Sequence, residues 1–127
     1  MQYKSPPIGN NISFIFYGVD KKFFSNPKCL ENILRRGLKE DGLTALAWHT
    51  IPFGKDAYTM LVPLSESHLA IHTYWEHQSL AFNLYSCLSP SSGMKTYRRA
   101  LREIKPEKHL LIRYKMPITI EEFRKFY

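Results

Sequence analysis

Residues 64–87 decide the fold, and they read LSESHLAIHTYWEHQSLAFNLYSC. Polar and apolar residues alternate over 68–75 and again over 80–87, a period that predicts two strands. The short stretch 76–79 between these runs can close them into a hairpin. Strands that follow one another without an intervening helix favour an antiparallel sheet.

The flanking sequence supplies further strands and two amphipathic helices. Strands are predicted over 12–17, 43–50, 58–64 and 109–116, with a turn over 52–56. A first helix is predicted to begin at Asn26-Pro27, where a capping side chain precedes proline, and to end near Gly42. A second helix is predicted over 94–104, and residues 119–122 are typical of the capping box of a short C-terminal helix.

The order strand, helix, four strands, helix, strand predicts an α+β fold. The two helices are expected to cover one face of an antiparallel sheet, which gives a two-layer sandwich. The other face must then be polar or buried in a dimer. At 127 residues the chain is expected to form a single domain over 1–127, with residues 1–10 as a loose arm.

Composition and charge argue against several classes of protein. No apolar run approaches the roughly 18 residues of a membrane span, and residues 1–10 lack a signal-peptide pattern, so a cytoplasmic protein without membrane contact is expected. Cys29 and Cys87 form neither a paired motif nor a zinc spacing, so no disulfide and no metal site is expected. The net charge of +7 fits either a solvated basic surface or an anionic partner. Because Arg98 and Arg102 lie on a predicted helix, away from sheet aromatics, no nucleic-acid partner is expected.

Residues 65–72 concentrate two serines, a glutamate and two histidines. Taken by itself, such a cluster is more often a set of turn residues and satisfied strand polar groups than a catalytic site. On this interpretation His68 satisfies backbone groups and Cys87 is a small buried hydrophobe. Alternation puts His68 and His72 on one face of their strand, and Tyr85 and Cys87 on one face of the next. Whether His72 and Cys87 converge depends on the strand register, which the pattern does not give.

A longer pattern around this cluster resembles a known family. The signature of the short prokaryotic S-adenosylmethionine decarboxylases is similar to Ser65-Glu66-Ser67-His68-Leu69-Ala70-Ile71-His72-Thr73, followed by Glu76 and by Cys87 at a strand end. The exit from the first strand of that family resembles Phe16-Tyr17-Gly18-Val19-Asp20, and the family also has a histidine where His49 stands. The resemblance covers roughly residues 12–105.

The resemblance implies a proenzyme that cuts itself between Glu66 and Ser67. The hydroxyl of Ser67 would attack the carbonyl of Glu66 and convert the peptide bond into an ester. Loss of the Ser67 α-proton, with His72 as the base, would expel the Glu66 carboxylate, and the remaining dehydroalanine would hydrolyse to a pyruvoyl group. Thr59 is the expected equivalent of a family serine that helps to hold the bond to be cleaved, since threonine keeps the hydroxyl while stiffening χ1.

The same resemblance assigns the decarboxylation chemistry. The pyruvoyl group formed from Ser67 would bind the substrate amine as a Schiff base and accept the electrons released as carbon dioxide leaves. Cys87 would donate the proton that replaces carbon dioxide. Glu76 would bind the ribose hydroxyls, and the product would be the aminopropyl donor for polyamine synthesis. Like the family, the chain is expected to form a homodimer with its sites near the interface.

One departure from the family leaves the substrate open. The family stacks adenine on an aromatic ring where this chain has Ile51, so Phe53 or Tyr58 would have to replace that ring. Because relatives decarboxylate ornithine or arginine, a basic amino acid is the alternative to S-adenosylmethionine. Glu76 favours S-adenosylmethionine, since an acid there has little purpose without a ribose. A catalytically inactive regulatory paralogue is a further alternative, against which the intact cleavage motif argues.

Overall fold

The computed structural model describes residues 5–65 and 67–127. Its strands are Ile8–Tyr17 (β1), His49–Gly54 (β2), Ala57–Leu64 (β3), Ser67–Tyr74 (β4), Ser79–Ser86 (β5) and Lys108–Pro117 (β6). They form one six-stranded sheet in the order β2-β3-β4-β5-β1-β6. Every neighbouring pair is antiparallel.

In the described part of the chain, four α-helices accompany the sheet: Lys22–Ser25 (α1), Pro27–Glu40 (α2), Met94–Ile104 (α3) and Ile120–Phe126 (α4). Helix α2 begins where the side chain of Asn26 accepts a hydrogen bond from the Lys28 amide (3.2 Å), as a helix cap does. The N-terminus of α3 is held by Asp41, whose carboxylate accepts bonds of 2.7 Å from both the amide and the hydroxyl of Thr96. No helix within the described ranges is long and apolar enough to cross a membrane.

The two long helices cover one face of the sheet. Phe14 and Phe82, from adjacent strands, stack with ring centroids 4.4 Å apart, and Tyr97 of α3 meets Phe14 edge-on at 5.0 Å. Helices α2 and α3 approach closely at Gly37, where an added Cβ would lie 2.8 Å from Thr96 Cα. An antiparallel sheet with two helices on one face is a two-layer α+β sandwich, so the predicted fold class is confirmed.

The predicted strand over 43–50 is wrong for most of its length. Residues 43–48 are irregular and pair with a strand only at the isolated bridge between Ala45 and Leu64, and β2 begins at His49. The apolar character of this segment comes from packing and not from a strand. Leu43 is buried in the core.

Two other strand boundaries differ from the prediction by more than one residue. β2 runs on to Gly54, so the predicted turn over 52–56 shrinks to Lys55 and Asp56, and Asp56 adopts a positive φ of 62°. β1 already begins at Ile8, so the end of the expected loose arm belongs to the sheet. The backbone of these segments pairs with a neighbouring strand, which the local composition does not reveal.

The sheet face that the helices leave uncovered, called here the open face, carries mainly apolar side chains. Strand alternation and register place on it Ile15, Ile51, Leu61, Ala70, Ala81, Leu110, Ile112, Tyr114 and Met116. Leu110 and Ile112 are 50% and 52% exposed. Because an extended exposed apolar face marks an interaction surface, burial against another molecule suits this face better than the alternative of a polar, solvated face.

Candidate active site

Ser67 is the first residue of β4 and lies just after a turn at Ser65. Its Oγ is shielded from solvent and has no hydrogen-bond partner among the described residues. Leaving a buried hydroxyl unpaired costs about 1–3 kcal/mol, so such a group calls for a functional or structural reason. Glu66, on the other side of the bond predicted to be cleaved, lies outside the described residues.

Cys87 directly follows β5 and is buried. Because Tyr85 pairs with His68, β5 ends at the same end of the sheet at which β4 begins. Ser67 and Cys87 therefore lie at one end of two neighbouring strands, whose axes are about 5 Å apart. The structure thus brings together these two residues of the predicted catalytic set.

Thr59 and His72 face each other across β3 and β4 on the open face. Thr59 Oγ1 and His72 Nδ1 are 3.3 Å apart, so one hydrogen bond can hold the imidazole. The Thr59 hydroxyl therefore contacts the predicted base rather than the Ser67 hydroxyl. A supporting role for Thr59 in self-cleavage would act through His72.

The Thr59–His72 pair is remote from Ser67 within one chain. His72 lies five residues along β4 from Ser67, which is about 16 Å at the rise of a strand. His72 pairs with Ala81, so Cys87 is farther away still along β5. The register that the sequence leaves open therefore keeps His72 and Cys87 apart and divides the predicted site into two halves.

A cleft of ≈ 640 Å³ adjoins His72, between the β2–β3 hairpin and the 3-10 turn Trp75–His77. Both predicted substrate-binding residues, Phe53 and Glu76, line it together with His72. The Phe53 and Trp75 side chains are 64% and 48% exposed, so their rings are open to a ligand. Among residues 5–65 and 67–127, no group of three or more His, Cys, Asp or Glu is placed to hold a metal ion.

Tyr58, the alternative to Phe53 as an adenine platform, is excluded from the cleft. Only 1% of its surface is exposed, and its hydroxyl donates a hydrogen bond to the Phe23 carbonyl oxygen. Burial raises the pKa of Tyr58 well above its usual value. The ring therefore belongs to the core.

Sequence reasoning misses a polar cluster on the open face. Nε2 of His68 lies 3.0 Å from Asn83 Oδ1, and Asn83 Nδ2 donates to Asn11 Oδ1 (2.8 Å) and to Ser13 Oγ (2.9 Å). His68 thus bonds a side chain, whereas the interpretation from the sequence is that it satisfies backbone groups. Alternation places Asn11 and Ser13 on one face of β1, but their meeting with Asn83 depends on a register that the pattern does not give.

Comparison with known proteins identifies the family. The sequence profile of S-adenosylmethionine decarboxylase matches residues 11–115. The chain belongs to this family. The match runs from β1 into β6 and contains every predicted site residue, whereas α4 lies beyond it.

Relatives in the S-adenosylmethionine decarboxylase family carry more than one activity in their names. The arginine decarboxylase proenzyme of Aeropyrum pernix is 30% identical over 105 residues, 80% of this chain and 79% of that protein. The S-adenosylmethionine decarboxylase proenzyme of Thermoplasma volcanium is 30% identical over 99 residues, 78% and 76% of the two chains. The crystal structure of the Aquifex aeolicus adenosylmethionine decarboxylase has the same fold, with a TM-score of 0.80 at 23% identity over 91% of this chain and 95% of that one.

Proposed function

We propose that the chain is a proenzyme that cuts itself between Glu66 and Ser67 and then decarboxylates S-adenosylmethionine. The observation that carries the proposal is the buried Ser67 hydroxyl, which has no partner among the described residues. A hydroxyl held without other bonds is available to attack the neighbouring carbonyl. Ser67 Oγ would take over the acyl group of Glu66, and loss of the Ser67 α-proton would release the Glu66 carboxylate.

The active site is completed, in this proposal, by a second copy of the chain. Within one chain about 16 Å separates Ser67 from the Thr59–His72 pair, which is too far for a direct proton transfer. Stacking the open faces of two copies about a two-fold axis would set the Ser67 end of one over the His72 end of the other. The apolar, half-exposed open face supports such a homodimer, because pairing removes this surface from water.

The residues of the two halves then take separate tasks. His72 of the partner subunit would remove the Ser67 α-proton, with its imidazole held through Nδ1 by the neighbouring threonine. The pyruvoyl group formed at position 67 supplies an electron sink for decarboxylation. Cys87, at the same end as Ser67, would hold the proton for the carbon that loses carbon dioxide.

Substrate recognition is assigned to the cleft beside His72. Phe53, Tyr74 and Trp75 offer aromatic rings to an adenine, and Glu76 offers a carboxylate to the ribose hydroxyls. The same carboxylate could pair with a guanidinium, and a relative named arginine decarboxylase proenzyme at 30% identity makes arginine the second candidate. Decarboxylated S-adenosylmethionine would serve as an aminopropyl donor for polyamine synthesis.

The substrate is tested by release of labelled carbon dioxide from carboxyl-labelled S-adenosylmethionine, arginine and ornithine. We expect S-adenosylmethionine to be turned over with the highest kcat/KM, because the cleft combines aromatic rings with one carboxylate. Faster release of carbon dioxide from arginine or ornithine would identify a basic amino acid as the substrate in place of S-adenosylmethionine. Release from none of the three by a fully cut protein would contradict both assignments.

Two inactive variants are expected to rescue each other if the site is shared. A Ser67→Ala chain and a His72→Ala chain form a mixed dimer in which one of the two sites keeps both Ser67 and the partner's His72. We expect the His72→Ala chain to stay uncut alone, and about half of it to be cut when the two chains are coexpressed in equal amounts. Intact-mass spectrometry follows each chain, since their masses differ.

The control for this rescue is a Ser67→Ala/His72→Ala double variant coexpressed with His72→Ala, which leaves no complete site. Native mass spectrometry establishes that mixed dimers form. Prompt cleavage of His72→Ala alone, or no cleavage in mixed dimers, would contradict the shared site.

A further inference from the structure

The open face is interrupted near the Ser67 end by four polar side chains, His68, Asn83, Asn11 and Ser13, called here the asparagine cluster. It links β4, β5 and β1 through hydrogen bonds of 3.0, 2.8 and 2.9 Å. Neither self-cleavage nor the substrate cleft uses these residues. A polar network held at a mainly apolar surface calls for a task of its own.

The asparagine cluster selects one tautomer of His68. The Asn83 amide nitrogen donates to both Asn11 and Ser13, so the amide oxygen is the atom that faces His68. An oxygen of this kind only accepts, and His68 therefore donates its proton from Nε2. In the neutral ring the other nitrogen, Nδ1, then carries no proton and can accept one.

The His68 ring is also supported by Tyr85. The two rings are nearly parallel, at 20°, with centroids 6.0 Å apart. Tyr85 lies in turn against Gly9, where an added Cβ would fall 2.2 Å from the tyrosine oxygen, so this approach needs a glycine. A side chain fixed both by a hydrogen bond and by a ring contact is organised as functional groups are.

We infer that Nδ1 of His68 accepts a proton from the α-ammonium group of the substrate. The inference rests on the proposed function, in which the substrate amine attacks the carbonyl at position 67, directly before His68. Only a neutral amine has the lone pair for this attack. His68 lies exposed on the open face, while His72 of the same chain lies four residues farther along β4, about 13 Å away.

The proton is conserved in this step. Nδ1 of His68 takes it from the ammonium group as the amine adds to the carbonyl carbon. A second proton passes from the added nitrogen to the oxygen, and the imidazolium returns the first, so that the oxygen leaves as water and the nitrogen keeps the third proton. The two histidines of β4 thereby have different tasks: His72 of the partner subunit acts once, in self-cleavage, and His68 acts in every turnover. Asn83 is a positioning residue, because it acts through His68.

The decisive variant is His68→Gln, because a glutamine amide keeps a donor for Asn83 but has no basic nitrogen. We expect the variant to cut itself as the wild type does. Cyanoborohydride fixes the substrate amine covalently to position 67, and the trapping rate is measured as a mass increase of fragment 67–127. S-adenosylmethionine is the first probe and arginine the second. We expect the trapping rate to fall about 10²-fold. His109→Gln, the same substitution at an exposed histidine of β6 on the helix-covered side of the sheet, is the matched control and should trap at the wild-type rate.

A second readout needs no turnover. Nitrogen-15 NMR of the uncut Ser67→Ala chain should show an Nε2–H tautomer that disappears with His68→Gln and mixes with the other tautomer in Asn83→Leu. Wild-type trapping rates in cut His68→Gln, loss of self-cleavage in that variant, or an Nδ1–H tautomer would each overturn the inference. An uncut wild-type chain would instead refute the proposed function, and the inference with it.

Discussion

A Ser67→Ala chain is expected to remain one polypeptide of full mass and to lose decarboxylase activity by roughly 10⁶-fold or more. Alanine has no hydroxyl to attack the Glu66 carbonyl, so neither the ester nor the pyruvoyl group can form. The Ser67 hydroxyl makes no hydrogen bond to a described residue. Its removal should therefore leave the free energy of unfolding of the uncut chain unchanged or slightly raised.

Intact-mass spectrometry over a time course measures this expectation. The wild type should give fragments 1–66 and 67–127, the second blocked at its N-terminus. Ser65→Ala is the matched control, because Ser65 is exposed in the adjoining turn. Its hydroxyl makes a long hydrogen bond of 3.5 Å to the Thr44 carbonyl oxygen, and the variant should be cut normally. Cleavage of Ser67→Ala at the same bond would exclude Ser67 as the nucleophile, and a persistently uncut wild type would favour the regulatory paralogue.

A Cys87→Ala chain is expected to cut itself and yet to decarboxylate about 10²- to 10⁴-fold more slowly. Self-cleavage requires Ser67 and a base, whereas turnover also requires a proton for the carbon that loses carbon dioxide. Cys87 is buried at the end of β5, next to the start of β4, and a methyl group there has no proton to give. The measurement is kcat for carbon dioxide release, normalised to the cut fraction.

The control for Cys87→Ala is Cys29→Ala, the same change in a partly buried cysteine of α2 that packs against the core. It should retain wild-type kcat, with at most a small loss of stability. Normal turnover by Cys87→Ala would remove Cys87 from the mechanism. Failure of Cys87→Ala to cut itself would show that Cys87 is needed for self-cleavage and not only for decarboxylation.

Much of the fold could be predicted because the local pattern of polar and apolar residues matches the observed strands and helices. The alternation in β4 and β5, and the capped apolar face of α2, follow from burial on one side of each element. The segment 43–48 misleads because a residue such as Leu43 is buried without belonging to a strand. Burial and strand pairing are separate properties, and composition reports only the first.

The site could be predicted only in part. The resemblance names Ser67, His72 and Cys87, and the structure places Phe53 and Glu76 in one cleft. The distance between the two halves of the site depends on strand register. Alternation of polar and apolar residues predicts the face on which a residue lies, but not its partner on the next strand. For the same reason the asparagine cluster, whose members are scattered along the chain, shows no local signal.

The position of the proposed cut in the sheet has a consequence for assembly. Residues 1–66 contain β1, β2 and β3, residues 67–127 contain β4, β5 and β6, and β1 lies between β5 and β6. Once cut, the two polypeptides would be interwoven, and neither could leave without breaking three ladders of backbone hydrogen bonds. Refolding of the intact chain is unimolecular, but refolding of the cut protein would require two molecules to meet, so its apparent stability would depend on concentration. For a chain that is cut as proposed, the topology therefore favours folding before scission.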